Sequence, residues 1–248
     1  MIQLVEVYKS FQGQEVLKGI TLEIPKGQIT AIIGRSGSGK TVLLKHLIGL
    51  IKPDRGQVLV DGVDIGTLRG RALDKLRERF GILFQGGALF DSLTVFDNVA
   101  FPLREKTRMP EAEIKERVEE KLQAVGLAGM GYKYPIELSG GMKKRAALAR
   151  ALIMDPEIVL FDEPTTGLDP IMLNAIHRLI AETQKALGFT AVVVSHDIPE
   201  IFDIAHRVAV MHEGAIVEHG SPEGILGSRD PVVRQFLTGG VEGPIRPI

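Results

Sequence analysis

The 248-residue sequence has no cysteine, which excludes disulfides, thiolate metal sites and cysteine nucleophiles and suits a reducing compartment. Net charge is nearly absent as well, a formal −1 from 30 basic and 31 acidic residues, so no global field favours a polyanion. No basic-plus-aromatic module of the RRM kind is found either, and nucleic acid is not expected as a partner. No apolar run approaches the length that spans a bilayer. The start, Met1-Ile2-Gln3-Leu4-Val5-Glu6, has no basic stretch leading into an apolar one, so no export signal is read. A membrane role is then expected only from the water side, through a partner.

What the sequence does contain is Gly34-Arg35-Ser36-Gly37-Ser38-Gly39-Lys40-Thr41, which fits G-x-x-x-x-G-K-[ST] at every fixed position, directly after the apolar run Ile29-Thr30-Ala31-Ile32-Ile33. Glycines let backbone N–H groups curl around a polyphosphate, and the following helix adds the positive end of its dipole. In such a loop Lys40 reaches the β- and γ-phosphates of a nucleotide, and the Thr41 hydroxyl takes a position on Mg2+. Val42, Leu43, Leu44, Leu47 and Ile48 follow at helical spacing, as the motif requires.

Other candidate chemistry follows that loop along the sequence. The run Ile158-Val159-Leu160-Phe161 ends in Asp162-Glu163, two carboxylates at the end of a buried strand, where open α/β sheets bind ligands. Asp162 suits the magnesium shell; Glu163 suits a general base or water-orienting group in line with a γ-phosphate. Gln85, after Gly81-Ile82-Leu83-Phe84, is long enough to touch Mg2+ or water. His196, after the run Ala191-Val192-Val193-Val194, reads either as a structural hydrogen-bonder or as a switch on the γ-phosphate or the attacking water. None of the six histidines has H-E-x-x-H spacing. In Leu138-Ser139-Gly140-Gly141-Met142 the serine is a good N-cap, and the glycines let N–H groups approach an anion at a helix start. A second anion grip, if supplied by another copy of the chain, makes ATP the glue of a head-to-tail dimer.

The patterning predicts antiparallel strands over 2–24, a strand over 56–62, helices over 68–80 and 110–125, a helical stretch over 86–154, buried strands at 158–161 and 191–194, and a hairpin at 208–217 turning on His212-Glu213-Gly214. Residues 239–248 hold too much Gly and Pro for a regular element. They are expected to be frayed or to run along another surface, as a strap on a neighbouring copy or a regulator.

The order of the phosphate loop (34–41), Gln85, Leu-Ser-Gly-Gly (138–141), Asp162-Glu163, Gly167-Leu168-Asp169 and His196 resembles the nucleotide-binding subunit of an ABC transporter over residues 2–221. The resemblance implies an α/β fold: a P-loop NTPase (RecA-like) core, about 1–85 and 155–225, with an antiparallel β subdomain and an inserted α-helical subdomain, about 86–154. The ATP-binding domain would run over 1–238 and an extended tail over 239–248. It further implies ATP hydrolysis with Mg2+ on Thr41, Gln85 and Asp162. Ser139, Gly140 and Gly141 would contact a γ-phosphate held by a second copy's loop, Asp169 would lie at the dimer seam, and Phe11 would stack on adenine, with Tyr8 as the competing ring. Met142 departs from the glutamine usual at the end of the signature.

Residues 83–90, 95–105 and 233–237, together with Met142, resemble the ATPase subunit of MCE-type (Mla-like) phospholipid transporters of Gram-negative bacteria. That implies a peripheral position on the cytoplasmic face of the inner membrane, with a permease, an MCE lipid-binding protein and a STAS-domain regulator as partners. The segment 85–104, with Leu89, Phe90, Leu93, Val95 and Phe96, is the expected lever against the permease. The alternatives are an ABC ATPase subunit importing or exporting another substrate, or a soluble ABC factor on ribosomes or DNA, though the latter commonly carries two cassettes or a coiled-coil insertion, neither of which is present. A P-loop kinase would not need residues 138–141.

Overall fold

The alternating residues at the N-terminus fold as antiparallel strands in a computed structural model that describes residues 2–246. Strands β1 (Ile2–Phe11) and β2 (Gln14–Ile24) meet across Gln12-Gly13, with Phe11 opposite Gln14. Gly13 takes a φ of 83°, a left-handed turn conformation that glycine adopts without strain. There follow β3 (Ile29–Ile33), α1 (Lys40–Leu47), β4 (Arg55–Val60), β5 (Val63–Asp64), α2 (Gly70–Arg77) and β6 (Phe80–Leu83). Next come α3 (Val95–Lys106), α4 (Glu111–Ala124), α5 (Gly140–Leu152), β7 (Ile158–Asp162) and α6 (Pro170–Leu187). The chain closes with β8 (Thr190–Ser195), β9 (Arg207–His212), β10 (Ala215–Gly220), α7 (Pro222–Leu226) and α8 (Pro231–Thr238). Among the described residues no helix is long and apolar enough to cross a membrane.

The chain divides into two compact units, Met1–Arg77 with Thr190–Ile248, and Glu78–Phe189. In the first, β2-β1-β4-β5 form an antiparallel sheet. Beside β3 run β8 and β9, both parallel to it, and β10 pairs antiparallel with β9. Every residue of β3 and β8 is buried, so their continuous apolar runs are strands covered on both faces. In the second unit β6 and β7 pair in parallel, Phe80 opposite Ile158 and Leu83 opposite Phe161. Around them lie α3 to α6. Thr94 caps α3, accepting from the Asp97 N–H at 3.0 Å, and Arg104 donates to Asp97 at 2.8 Å and to both oxygens of Glu111 at 2.9 Å, tying α3 to α4. The Thr94 hydroxyl first, then Arg104, hold the Asp97 carboxyl below its usual pKa.

Three expectations need correction. The helix expected over 68–80 covers only Gly70–Arg77, and Phe80 opens β6. Gly81 passes so close to the Ala151 carbonyl that a Cβ would collide with it, a tertiary approach that helical spacing does not register. Val95, counted in the expected lever, is wholly buried at the start of α3. The tail, as far as residue 246, is seated on its own chain: the Gln235 amide donates to the carbonyls of Gly240 at 3.0 Å and Ile245 at 2.9 Å and accepts from the Ile245 N–H at 2.7 Å. Ile245 is buried there, and Arg35 Nη1 donates to the Arg246 carbonyl at 2.8 Å. Residues 247 and 248 lie outside the described residues.

Candidate functional site

The phosphate loop bridges β3 and α1. Gly37 and Gly39 take φ values of 80° and 101°, conformations costly for any residue with a Cβ. A Cβ on Gly34 would run into the Met211 carbonyl of β9, so this position needs glycine for space rather than for backbone angle. Gly39 precedes α1 without a side-chain cap, and the first turn holds no acidic residue, which leaves its N–H groups suited to an anion. Lys40 is buried and donates to the carbonyls of Gly34 at 2.7 Å and Arg35 at 2.9 Å, which lays its ammonium along the loop. The Ser38 hydroxyl is buried without a hydrogen-bond partner. An orphaned hydroxyl inside a cationic, glycine-lined cradle fits a polyphosphate. Beside it lies a hollow of about 460 Å³ lined by Arg35, Ser36, Gly37, Ser38, Pro244 and Arg246, among others.

Phe11 and Tyr8 differ in availability. Arg55 covers the Tyr8 ring at 4.8 Å, its hydroxyl donates to Glu6 at 3.2 Å, and the ring packs so close over Gly19 that a Cβ there would meet it. Phe11 is 41% exposed, with the Lys9 ammonium near its face at 5.4 Å. His196 is half exposed just beyond β8, 3.9 Å from the Asp197 carboxylate, which in turn accepts from the Ser195 hydroxyl at 3.0 Å.

In the second unit, two of the expected catalytic residues touch. Gln85 Nε2 donates to Glu163 Oε2 at 2.9 Å, and the Thr166 hydroxyl donates to the same oxygen at 3.0 Å. Glu163 follows β7 with φ at 47°, a strained conformation for a side chain of its size, and the turn aims its carboxylate back at Gln85. Asp162 closes β7 and is buried. Ser139 caps α5, its hydroxyl accepting from the Met142 N–H at 3.3 Å, and Gly141 lies so close to the Met172 side chain that a Cβ would clash. Asp169 caps α6, accepting from the N–H groups of Ile171 at 3.0 Å and Met172 at 3.1 Å.

Sequence reasoning missed Lys144 and Arg150 of α5. Lys144 is buried and donates to the Gln85 carbonyl; Arg150 donates to the carbonyls of Gly87 and Ala88, each at 2.8 Å. Burial lowers the pKa of both groups, and for Lys144 the nearby Glu163 charge opposes the shift. One signal was available. Lys144 shares a helical stripe with the buried apolar residues Ala147, Leu148 and Ala151, where a cation needs a reason to be. Beside these residues an apolar groove of about 500 Å³ is lined by Phe84, Ala88, Phe90, Phe101, Pro102 and Met154, among others. Phe84 and Phe90 are more than 40% exposed.

The sequence profile of the family described as ABC transporter matches residues 17–166. The chain is 48% identical over 230 residues to the intermembrane phospholipid transport system ATP-binding protein MlaF of Escherichia coli (strain K12), covering 93% of this chain and 86% of that one. It is 45% identical over 244 residues to the probable ribonucleotide transport ATP-binding protein mkl of Mycobacterium leprae, covering 98% and 70%. Among solved structures it is similar to the ATP-binding cassette MJ0796 in a dimeric post-hydrolysis state with ADP and Pi, with a TM-score of 0.82 at 34% identity over 90% of this chain and 100% of that one. A further similar structure is cbiO1 from Clostridium perfringens, with a TM-score of 0.85 at 35% identity over 94% and 93%.

Proposed function

The chain belongs to the ABC transporter family as an ATP-binding, ATP-hydrolysing subunit, and from that premise we propose that it powers phospholipid transport between the inner and outer membranes of a Gram-negative cell. The observation that carries the transport reading is its identity to MlaF, 48% over 93% of this chain. Two copies pair head to tail on two ATP molecules, a reading supported by the dimeric cassette it resembles. Within each copy Lys40 and the loop N–H groups bind the β- and γ-phosphates, and Phe11 stacks on adenine. Thr41, Gln85 and Asp162 supply hard oxygen ligands for Mg2+, which when bound offsets phosphate charge. Glu163 orients the attacking water and takes its proton, and His196 contacts the γ-phosphate. Ser139, Gly140 and Gly141 close on the γ-phosphate held by the partner copy, with Asp169 at the seam between copies.

Movement of the helical subdomain, residues 86–154, against the core carries the work to the membrane. Its groove, walled by Phe84, Phe90 and Phe101, takes an apolar cytoplasmic segment of the permease. The full complex adds an MCE lipid-binding protein and a STAS-domain regulator, on the cytoplasmic face of the inner membrane.

The test is reconstitution of the chain with its permease and MCE partner in vesicles. ATP should drive transfer of labelled phospholipid, and Glu163→Gln should abolish turnover and transfer while ATP-dependent pairing, read by light scattering, persists. Phe90→Asp should lose transfer and keep nucleotide binding. Movement of ribonucleotide instead of phospholipid, or turnover in Glu163→Gln, overturns the reading.

A further inference from the structure

The side chain and the main chain of Gln85 are held by different groups. Its amide is on Glu163; its carbonyl receives the buried Lys144 ammonium from α5. A buried ammonium whose hydrogen bond goes to a neutral carbonyl is unfavourable unless its position does something. Arg150, on the same helix, takes the next carbonyls, those of Gly87 and Ala88. Two cations of α5 therefore fix the backbone that leaves β6, and that backbone carries the Gln85 amide to Glu163. Fixing it matters because Gln85 lies in an irregular stretch after a strand, beside two glycines, Gly86 and Gly87, that leave its main chain many alternatives.

We propose that Lys144 is a positioning residue for ATP hydrolysis: by holding the Gln85 carbonyl it keeps the Gln85 amide on Glu163 and so fixes the carboxylate that orients the attacking water. The proposal rests on the roles given to Gln85 and Glu163 above. It separates binding from turnover, because Lys144, Gln85 and Glu163 belong to the second unit and the phosphate loop to the first.

The test compares Lys144→Met, which keeps length and loses the donor, with Lys144→Arg, which restores one. Steady-state ATPase should fall about tenfold in kcat for Lys144→Met with KM for ATP within about twofold, the pattern of a lost transition-state contact, and Lys144→Arg should recover most of the rate. Hydrogen–deuterium exchange should rise in the peptide covering 84–90 for Lys144→Met and return to the wild-type level for Lys144→Arg. Unchanged kcat in a folded Lys144→Met, a loss confined to KM, or unaltered exchange over 84–90 overturns the proposal. Should Lys144→Met not fold, Lys144→Leu, which also lacks the donor, is held to the same criteria. The control is Glu163→Gln: wild-type turnover with an inactive Glu163→Gln leaves Lys144 alone on trial, whereas an active Glu163→Gln removes the site reading and this proposal with it.

Discussion

His46, in the helix that follows the phosphate loop, is 1% exposed and hydrogen-bonded through Nδ1 to the Val42 carbonyl at 2.7 Å. A carbonyl only accepts, so the proton sits on Nδ1 and leaves Nε2 bare, buried and without a partner. Burial chiefly, and the Lys9 charge after it, lower the pKa below the ordinary 6.5, while the Val42 carbonyl opposes them. On acidification below about pH 6.5 the unfolded chain takes up a proton that the folded chain refuses. Stability therefore falls through that window, by up to about 1.4 kcal/mol per pH unit, and levels off below the folded pKa. Urea unfolding between pH 5 and 8 should show this slope, and His46→Gln, neutral throughout and still able to donate to Val42, should flatten it. A wild-type profile as flat as the variant's would contradict the assignment. The same residue scale separates Phe11 from Tyr8: sequence offers two rings close together, and only the structure reveals that Arg55 already covers one of them.

Elements inherit their shape from such contacts, and α3 is the clearest case. Asn98 is fully buried; its Oδ1 accepts from the Phe90 N–H at 2.8 Å, while Nδ2 faces the carbonyls of Phe90, Leu93 and Thr94 at 3.0, 3.1 and 2.9 Å. One side chain thereby stitches the loop before α3 to the helix and sets Phe90 at the groove. Asn98→Ala strands several buried polar groups and should cost about 2–4 kcal/mol, read by thermal or urea unfolding. Asn98→Asp should cost more, since a carboxylate cannot donate and its charge would be buried. Nothing in the sequence announced this. A lone asparagine inside a helical pattern has no periodicity, and its partners are main-chain groups of an irregular loop. By contrast, β3, β7 and β8 were legible as unbroken apolar runs because both their faces are covered. The phosphate loop was legible because its chemistry is local: each glycine answers to a neighbour or to a backbone angle. The Gln85–Glu163 bond joins residues 78 positions apart. Their types were readable and their contact was not. The end of α2 was misread for the same reason, since Gly81 is set by the Ala151 carbonyl far along the chain.

At the scale of the whole molecule, the tail is the part whose composition said least. Glycine and proline excluded a helix or a strand, but they did not indicate the buried Gln235 side chain that gathers Gly240 and Ile245 around it. A chain ending at Thr238 loses the buried Ile245 side chain and leaves Gln235 without these partners, a loss of about 2 kcal/mol and roughly 4–8 °C in thermal midpoint for a chain of this size. An unchanged midpoint would mean that the tail adds nothing to its own unit. The contact between the Arg246 carbonyl and Arg35 brings the chain's last described residue to the rim of the phosphate cradle. Because the protein has no thiol of its own, Pro244→Cys would give a maleimide dye a single attachment point on that rim, turning the arrival of nucleotide into a change in fluorescence.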